Sequence, residues 1–190
     1  MDIGQTDDKV SQATDRHHDK RRERVSSISF EEIMFTIMSA TQDTFKSYLN
    51  IDLLAGKVEK KLEPVESDVI SIVGVAGDRV GYILCASDND TAQHVAREML
   101  MCDDPSGDDI RDAFGELANN IAGAFKTKYH EQYGSVALGL PLVVSGKLRP
   151  LAEPPQPASE ARSVNVQCKG VTIPFKNTEG SISFCVMVYM

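Results

Sequence analysis

Hydrophobic positions recur along this chain with two periods, and the changeovers between them mark its elements. Ile33, Ile37, Thr41 and Phe45 stand about one turn apart on one stripe, with Met34, Met38 and Tyr48 beside it, which predicts a helix over about 30–49. Ser29 followed by Glu32 reads as a capping box and Ile28 with Ile33 as its hydrophobic staple, so the fold is expected to begin at Ile28. Apolar runs then predict three strands, Ala55–Leu62, Val69–Ala76 and Arg79–Ala86, the last two joined at Gly77-Asp78, a two-residue hairpin signal. Thr91 opens a short helix to about Met101, Pro105 and Ser106 interrupt the chain, and a longer helix runs from about Asp108 to Glu131. Strand texture returns at Ser135–Val144, with a short continuation to Leu148. The segment Glu153-Pro154-Pro155-Gln156-Pro157 is too rich in proline for either regular state. Val164–Phe175 and Ser181–Met190 close the chain as strands around a turn containing Asn177 and Gly180. The last of them is apolar on both faces, which places it inside a sheet.

The element order is therefore α-βββ-α-α-βββ. A helix followed by three strands occurs twice, an internal pseudo-repeat without residue identity between the halves. The expected class is α+β, with about three helices on one face of a mostly antiparallel, six-stranded sheet. Residues 1–27 carry almost no apolar side chains and a mixed charge block from His17 to Arg24. They cannot bury enough surface to offset the entropy of ordering, so the chain divides into a disordered charged tail, 1–27, and one domain, 28–190.

Charge narrows the choice of partner. The 190 residues carry a formal charge of −8, which gives no whole-chain attraction to nucleic acid or anionic membrane. No apolar run approaches the roughly 20 residues that span a bilayer, and the polar N-terminus lacks a cleavable apolar stretch, so a cytoplasmic protein is expected. Cys85, Cys102, Cys168 and Cys185 are too scattered for a zinc or redox motif and read as small buried hydrophobes. His17 and His18 fall in the tail, and His94 and His130 on separate helices, so no metal site is expected. Ser87-Asp88-Asn89-Asp90 superficially resembles a calcium loop but serves as the turn and cap before Thr91.

One stretch carries candidate chemistry, Asp112-Ala-Phe-Gly-Glu116-Leu-Ala-Asn119-Asn120-Ile-Ala-Gly123. At about 100° per residue, Ile110, Ala113, Phe114, Leu117, Ile121 and Phe125 form a core stripe. Asp112, Glu116, Asn119 and Gly123 gather on the other side, with Asn120 at the edge of their arc. Every surface helix has a solvated face, and this arc fits one. Against that, adjacent asparagines and a mid-helix glycine each cost about 0.5–1 kcal/mol relative to Ala. Polar groups of fixed reach beside a glycine dent also fit a docking surface, and the residues by themselves leave both readings standing.

The spacing Asp-x3-Glu-x2-Asn, with a proline 22 residues after the Asn, is met by Asp112, Glu116, Asn119 and Pro141. It resembles the signature of the CheC/CheX/FliY family of chemotaxis phosphatases, and Gly-Glu-Leu-Ala-Asn-Asn-Ile-Ala-Gly is most similar to the CheX branch. Family members often carry a hydrophobic residue where Asn120 stands. The first helix has no Glu-x-x-Asn, so a single site per chain also resembles CheX, whose members are typically homodimers with a sheet continued between subunits.

The resemblance implies dephosphorylation of an aspartyl phosphate on a CheY-like response regulator. It makes Asn119 the residue that orients the attacking water and Glu116 the anchor that pairs with the regulator's lysine. Asp112, Asn120 and Gly123 then belong to the docking face, and Pro141 shapes the approach to the strand after the helix. The chain would need no cofactor of its own, Mg²⁺ being supplied by the regulator. A carboxamide suits this task, because its donor and acceptor together hold one water in line with phosphorus, whereas it has no proton affinity to act as a base. The alternative on the same fold is a non-catalytic regulator-binding adaptor or motility-switch component.

Overall fold

A computed structural model of the chain describes residues 29–60, 64–77, 80–148 and 170–190. The charged tail, the proline-rich loop and the first part of the strand expected from Val164 lie outside the described residues. Helix α1 spans Phe30–Leu49, α2 Asn89–Leu100 and α3 Gly107–Gln132. The strands are β1 Leu53–Ala55, β2 Val65–Gly77, β3 Gly81–Ser87, β4 Val136–Leu138, β5 Leu142–Leu148, β6 Gly170–Asn177 and β7 Ser183–Tyr189.

Among the described residues the sheet has seven strands in the order β1-β6-β7-β3-β2-β4, with β5 also on β2, and all pairings between them are antiparallel. The seventh strand arises because the run Ser135–Leu148 is cut in two. Leu138 faces Val75 and Leu142 faces Ile72, so Gly139, Leu140 and Pro141 oppose only Val73 and Gly74. Pro141 has no N–H for the ladder, and the bulge turns Leu140 out to 91% exposure. The strand expected at Ala55–Leu62 is also shorter and earlier. Its pairing with β6 stops at Ala55↔Phe175, next to Pro174, which has no donor to offer, and Glu59 makes only an isolated bridge to Thr172. The hairpin after β2 is longer than two residues: pairing resumes at Val75↔Gly81, with Asp78 and Arg79 outside the described residues.

The strand order contains the repeat. Matching β1 to β4, β2 to β6 and β3 to β7 turns it into its own reverse, so each half lends its first strand to the other half's sheet. β7 lies between β6 and β3, inside the sheet as its two apolar faces require. The helices cover one face over the main core, which includes Ile37, Phe45, Phe114, Leu117, Ile121 and Phe125. A smaller cluster of Ile70, Leu84, Ala86 and Met187 lies on the other.

Both long helices begin with capping boxes, Ser29 with Glu32 and Ser106 with Asp109. Asp88 caps α2 by accepting from the Thr91 N–H at 2.8 Å, the job the sequence gives that loop. Two other expectations are corrected. Cys85 is buried and Cys185 half-buried, but Cys102 is exposed just past the end of α2, while Cys168 lies outside the described residues. Tyr48 is 62% exposed rather than packed beside the core, because Thr44, Phe45 and Leu49 already fill the inward arc of the last turns.

Candidate active site on helix α3

The six residues of the expected stripe on α3, Ile110, Ala113, Phe114, Leu117, Ile121 and Phe125, are all buried, and they fix the roll of the helix on the sheet. Gly115 is buried too, and a Cβ there would come within 3.1 Å of the Val143 side chain. The glycine lets α3 settle closely onto β5 one turn before Asn119, and Pro141 marks where β5 begins. Pro141, the last residue of the sequence motif, thus stands immediately before the strand on which the helix rests. Gly115 was missed from the pattern because a glycine adds nothing to a hydrophobic stripe.

Helix α1 packs beside α3. Lys128 pairs with Asp43 at 2.8 Å, and Tyr133 of the α3 C-terminal cap meets Glu32, so the two helices run antiparallel. Between them lies a groove of about 610 Å³. Asn119, Asn120 and Gly123 line it from α3, Tyr48 from α1 and Leu138 from β4. Neither Asp112 nor Glu116 does; both are exposed further toward the N-terminus of α3. The structure therefore divides the expected set into a groove trio and an exposed acidic pair. Glu116 and Asn119 are still about 4.5 Å apart along the axis, one turn on the same side.

Asn119 and Asn120 are half-buried, and neither carboxamide has a hydrogen-bond partner among the described residues. Glu116 and Asp112 have no ion-pair partner among them either. A Cβ on Gly123 would meet nothing within 4 Å, so no internal contact demands the glycine. The groove residues contributed by α1 and β4, Tyr48 foremost, were not legible as site residues, since the antiparallel packing brings them in from distant sequence.

Other chemistry is poorly provided for. Burial pushes the Cys85 thiol far up and the Cys185 thiol up, which keeps both protonated and poor nucleophiles. At the start of α3, the Ser106 hydroxyl and backbone N–H hold the Asp109 carboxyl below its usual range. Among the described residues, no three His, Cys, Asp or Glu side chains converge as a metal centre. No helix among them is long and apolar enough to cross a membrane.

Three solved structures of similar fold frame this geometry. A CheX from Desulfovibrio desulfuricans matches with a TM-score of 0.69 at 23% identity, over 84% of this chain and 99% of that one. The Borrelia burgdorferi CheX–CheY–BeF3–Mg²⁺ complex matches at 0.61 and 21% identity, over 82% and 96%. Thermotoga maritima FliY follows at 0.55 and 16% identity, over 83% and 85%. No curated protein matches the chain by sequence. The family model described as chemotaxis phosphatase CheX matches residues 69–176, more than half of the chain and the whole of α3, and on that match the chain belongs to the CheX family.

Proposed function

We propose that the chain hydrolyses the aspartyl phosphate of a CheY-like response regulator, with Asn119 orienting the attacking water. The observation that carries this reading is the Asn119 carboxamide itself. It is half-buried in a groove, mounted on a helix whose roll is fixed by a buried stripe, and without a hydrogen-bond partner among the described residues. An acyl phosphate already has a carboxylate leaving group, so positioning and electrostatics are most of what a catalyst must add. The amide holds water by its donor and acceptor, and the regulator brings the Mg²⁺ and the cationic lysine. This chain then needs no cofactor of its own. Glu116, one turn away and without an ion-pair partner among the described residues, anchors that lysine; aimed at the phosphoryl oxygens it would repel them. Asp112 extends the acidic surface, and Asn120 and Gly123 complete the docking face. The relative solved with CheY, BeF3 and Mg²⁺ supports a CheY-like partner.

The experiment is decay of a phosphorylated CheY-like regulator in the presence of each variant. Asn119→Ala is expected to lower kcat by about 10²-fold while retaining binding. Glu116→Ala is expected to raise KM. If both variants accelerate decay like the wild type, the assignment is wrong; binding that leaves the phosphate half-life unchanged would mark an adaptor instead. We also propose a homodimer, for which a solution mass twice the 20.8 kDa of one chain is expected.

A further inference from the structure

The groove extends well beyond the atoms that hydrolysis needs. From Asn119 it continues past Gly123 to Lys126, with Tyr48, Ala124 and Leu138 on its walls. Two features of this extension have no polar partner among the described residues. Tyr48 is 62% exposed, although a ring of its size ordinarily buries most of its surface. Lys126 is exposed and has no ion-pair partner among the described residues, while its neighbours Asp43 and Lys128 neutralise each other at 2.8 Å. On a chain of net charge −8, Lys126 thus stands next to an aromatic wall as a cation uncompensated among the described residues.

Position says what that cation faces. Lys126 lies seven residues beyond Asn119, about 10.5 Å along the axis on the same side of the helix. A phosphoryl group poised over Asn119 is out of range of direct contact, so the anion opposite Lys126 must be another group on the same partner. Glu116 lies on the opposite flank of Asn119 and demands a cation. The docking face is therefore bipolar, negative toward the N-terminus of α3 and positive toward its C-terminus, with the carboxamide between.

We propose that this groove is the subsite that selects among regulators: Tyr48 packs an apolar side chain flanking the phosphorylated aspartate, and Lys126 pairs with a carboxylate beside it. The inference rests on the proposed function, because Asn119 brings that flanking segment into the groove. A large exposed ring on a groove wall is the kind of residue on which binding energy concentrates when a partner covers it, and a pair of opposite charges on either side of the site fixes register. Regulators lacking the apolar residue or the carboxylate would then be poor substrates even when phosphorylated.

The test uses the full chain and a CheY-like receiver domain activated with beryllofluoride and Mg²⁺, titrated by fluorescence anisotropy, together with phosphate decay on the same receiver. Tyr48→Ala is expected to weaken binding about tenfold. Lys126→Glu should weaken it several-fold at low salt, with the effect shrinking as salt is added. Both should raise KM and leave kcat at saturating receiver within about twofold of wild type, since neither touches the phosphoryl group. Lys57→Glu, the same charge change beyond β1 at the far edge of the sheet, should leave binding unaltered. Wild-type affinity in both groove variants, or losses confined to kcat, overturns the subsite. If Asn119→Ala keeps full activity while the groove variants bind weakly, the catalytic assignment fails and the subsite stands. A wild-type chain that does not bind the receiver overturns both.

Discussion

Helices α1 and α3 are the same element met twice, but the polar groups on their outer arcs are partnered differently. Setting N-cap Ser29 on N-cap Ser106 pairs the buried residues of one with those of the other: Ile33 with Ile110, Ile37 with Phe114, Ala40 with Leu117, and Thr44 with Ile121. On the outer arc, Ser39 then stands for Glu116, Gln42 for Asn119, Asp43 for Asn120 and Lys46 for Gly123. On α1 each of these is tied down inside the chain. The Gln42 amide donates to the Leu53 carbonyl at 3.0 Å, Ser39 donates to Asp43 at 3.3 Å, Asp43 accepts Lys128, and Lys46 pairs with Asp52 at 2.8 Å. On α3 the equivalent side chains have no such partners among the described residues. A solvated face and a docking face cannot be told apart by hydrophobicity. What differs between the two arcs is whether the polar groups are partnered within the chain, a difference that no hydropathy pattern shows.

The largest expected effects fall where the helices agree. Phe114→Ala is expected to cost about 3–5 kcal/mol, and Ile37→Ala, its counterpart, about 2–5 kcal/mol, both read by urea denaturation. Both side chains are fully buried, so a near-zero loss at either would break the equivalence of the two stripes. The next effect falls where they differ. Gln42→Ala should cost about 1 kcal/mol through the lost bond to Leu53, whereas Asn119→Ala should gain about 0.5–1 kcal/mol from better helix propensity. Opposite signs at topologically matched amides would sharpen the contrast; equal losses would mean that Asn119 serves the fold after all.

Much of this architecture was legible because it is local. The stripes of α1 and α3, both long-helix starts, the α+β class and the interior position of β7 follow from periods and caps that each segment carries within itself. What the pattern misplaced depends on pairing. Pro174 ends the β1 ladder from across the sheet, and the bulge at Gly139–Pro141 exists only against Val73 and Gly74, so neither break is written in the strand it interrupts. The site divides in the same way. In the candidate site, the period of one helix groups Asn119 with Glu116, but Tyr48 and Leu138 join Asn119 at the groove through the antiparallel packing of α1 on α3.

Gly123 carries the comparison to a smaller scale. Its counterpart Lys46 is a good helix former, and the open space around Gly123 has room for a methyl. Gly123→Ala should therefore stabilise the chain by about 0.5–1 kcal/mol, seen as a raised Tm, while weakening receiver binding, because the added Cβ projects into the groove. A mutation that improves the fold and harms docking separates the two roles that a glycine can have. Higher Tm with unchanged binding would remove Gly123 from the docking face.

The two caps give the finest contrast. Both pair a serine with an acidic third residue, but at α3 the acid is Asp109, fully exposed and held below its ordinary 3.8 by the Ser106 hydroxyl and N–H. A carboxyl whose folded value is depressed stabilises the fold above its unfolded pKa, and that contribution disappears as pH falls through the folded value. Asp109→Asn should therefore lower Tm slightly at neutral pH, with the gap to wild type closing below about pH 4. A gap that stays constant across that range would mean that the carboxyl acts at the cap by hydrogen bonding alone, with its charge contributing nothing.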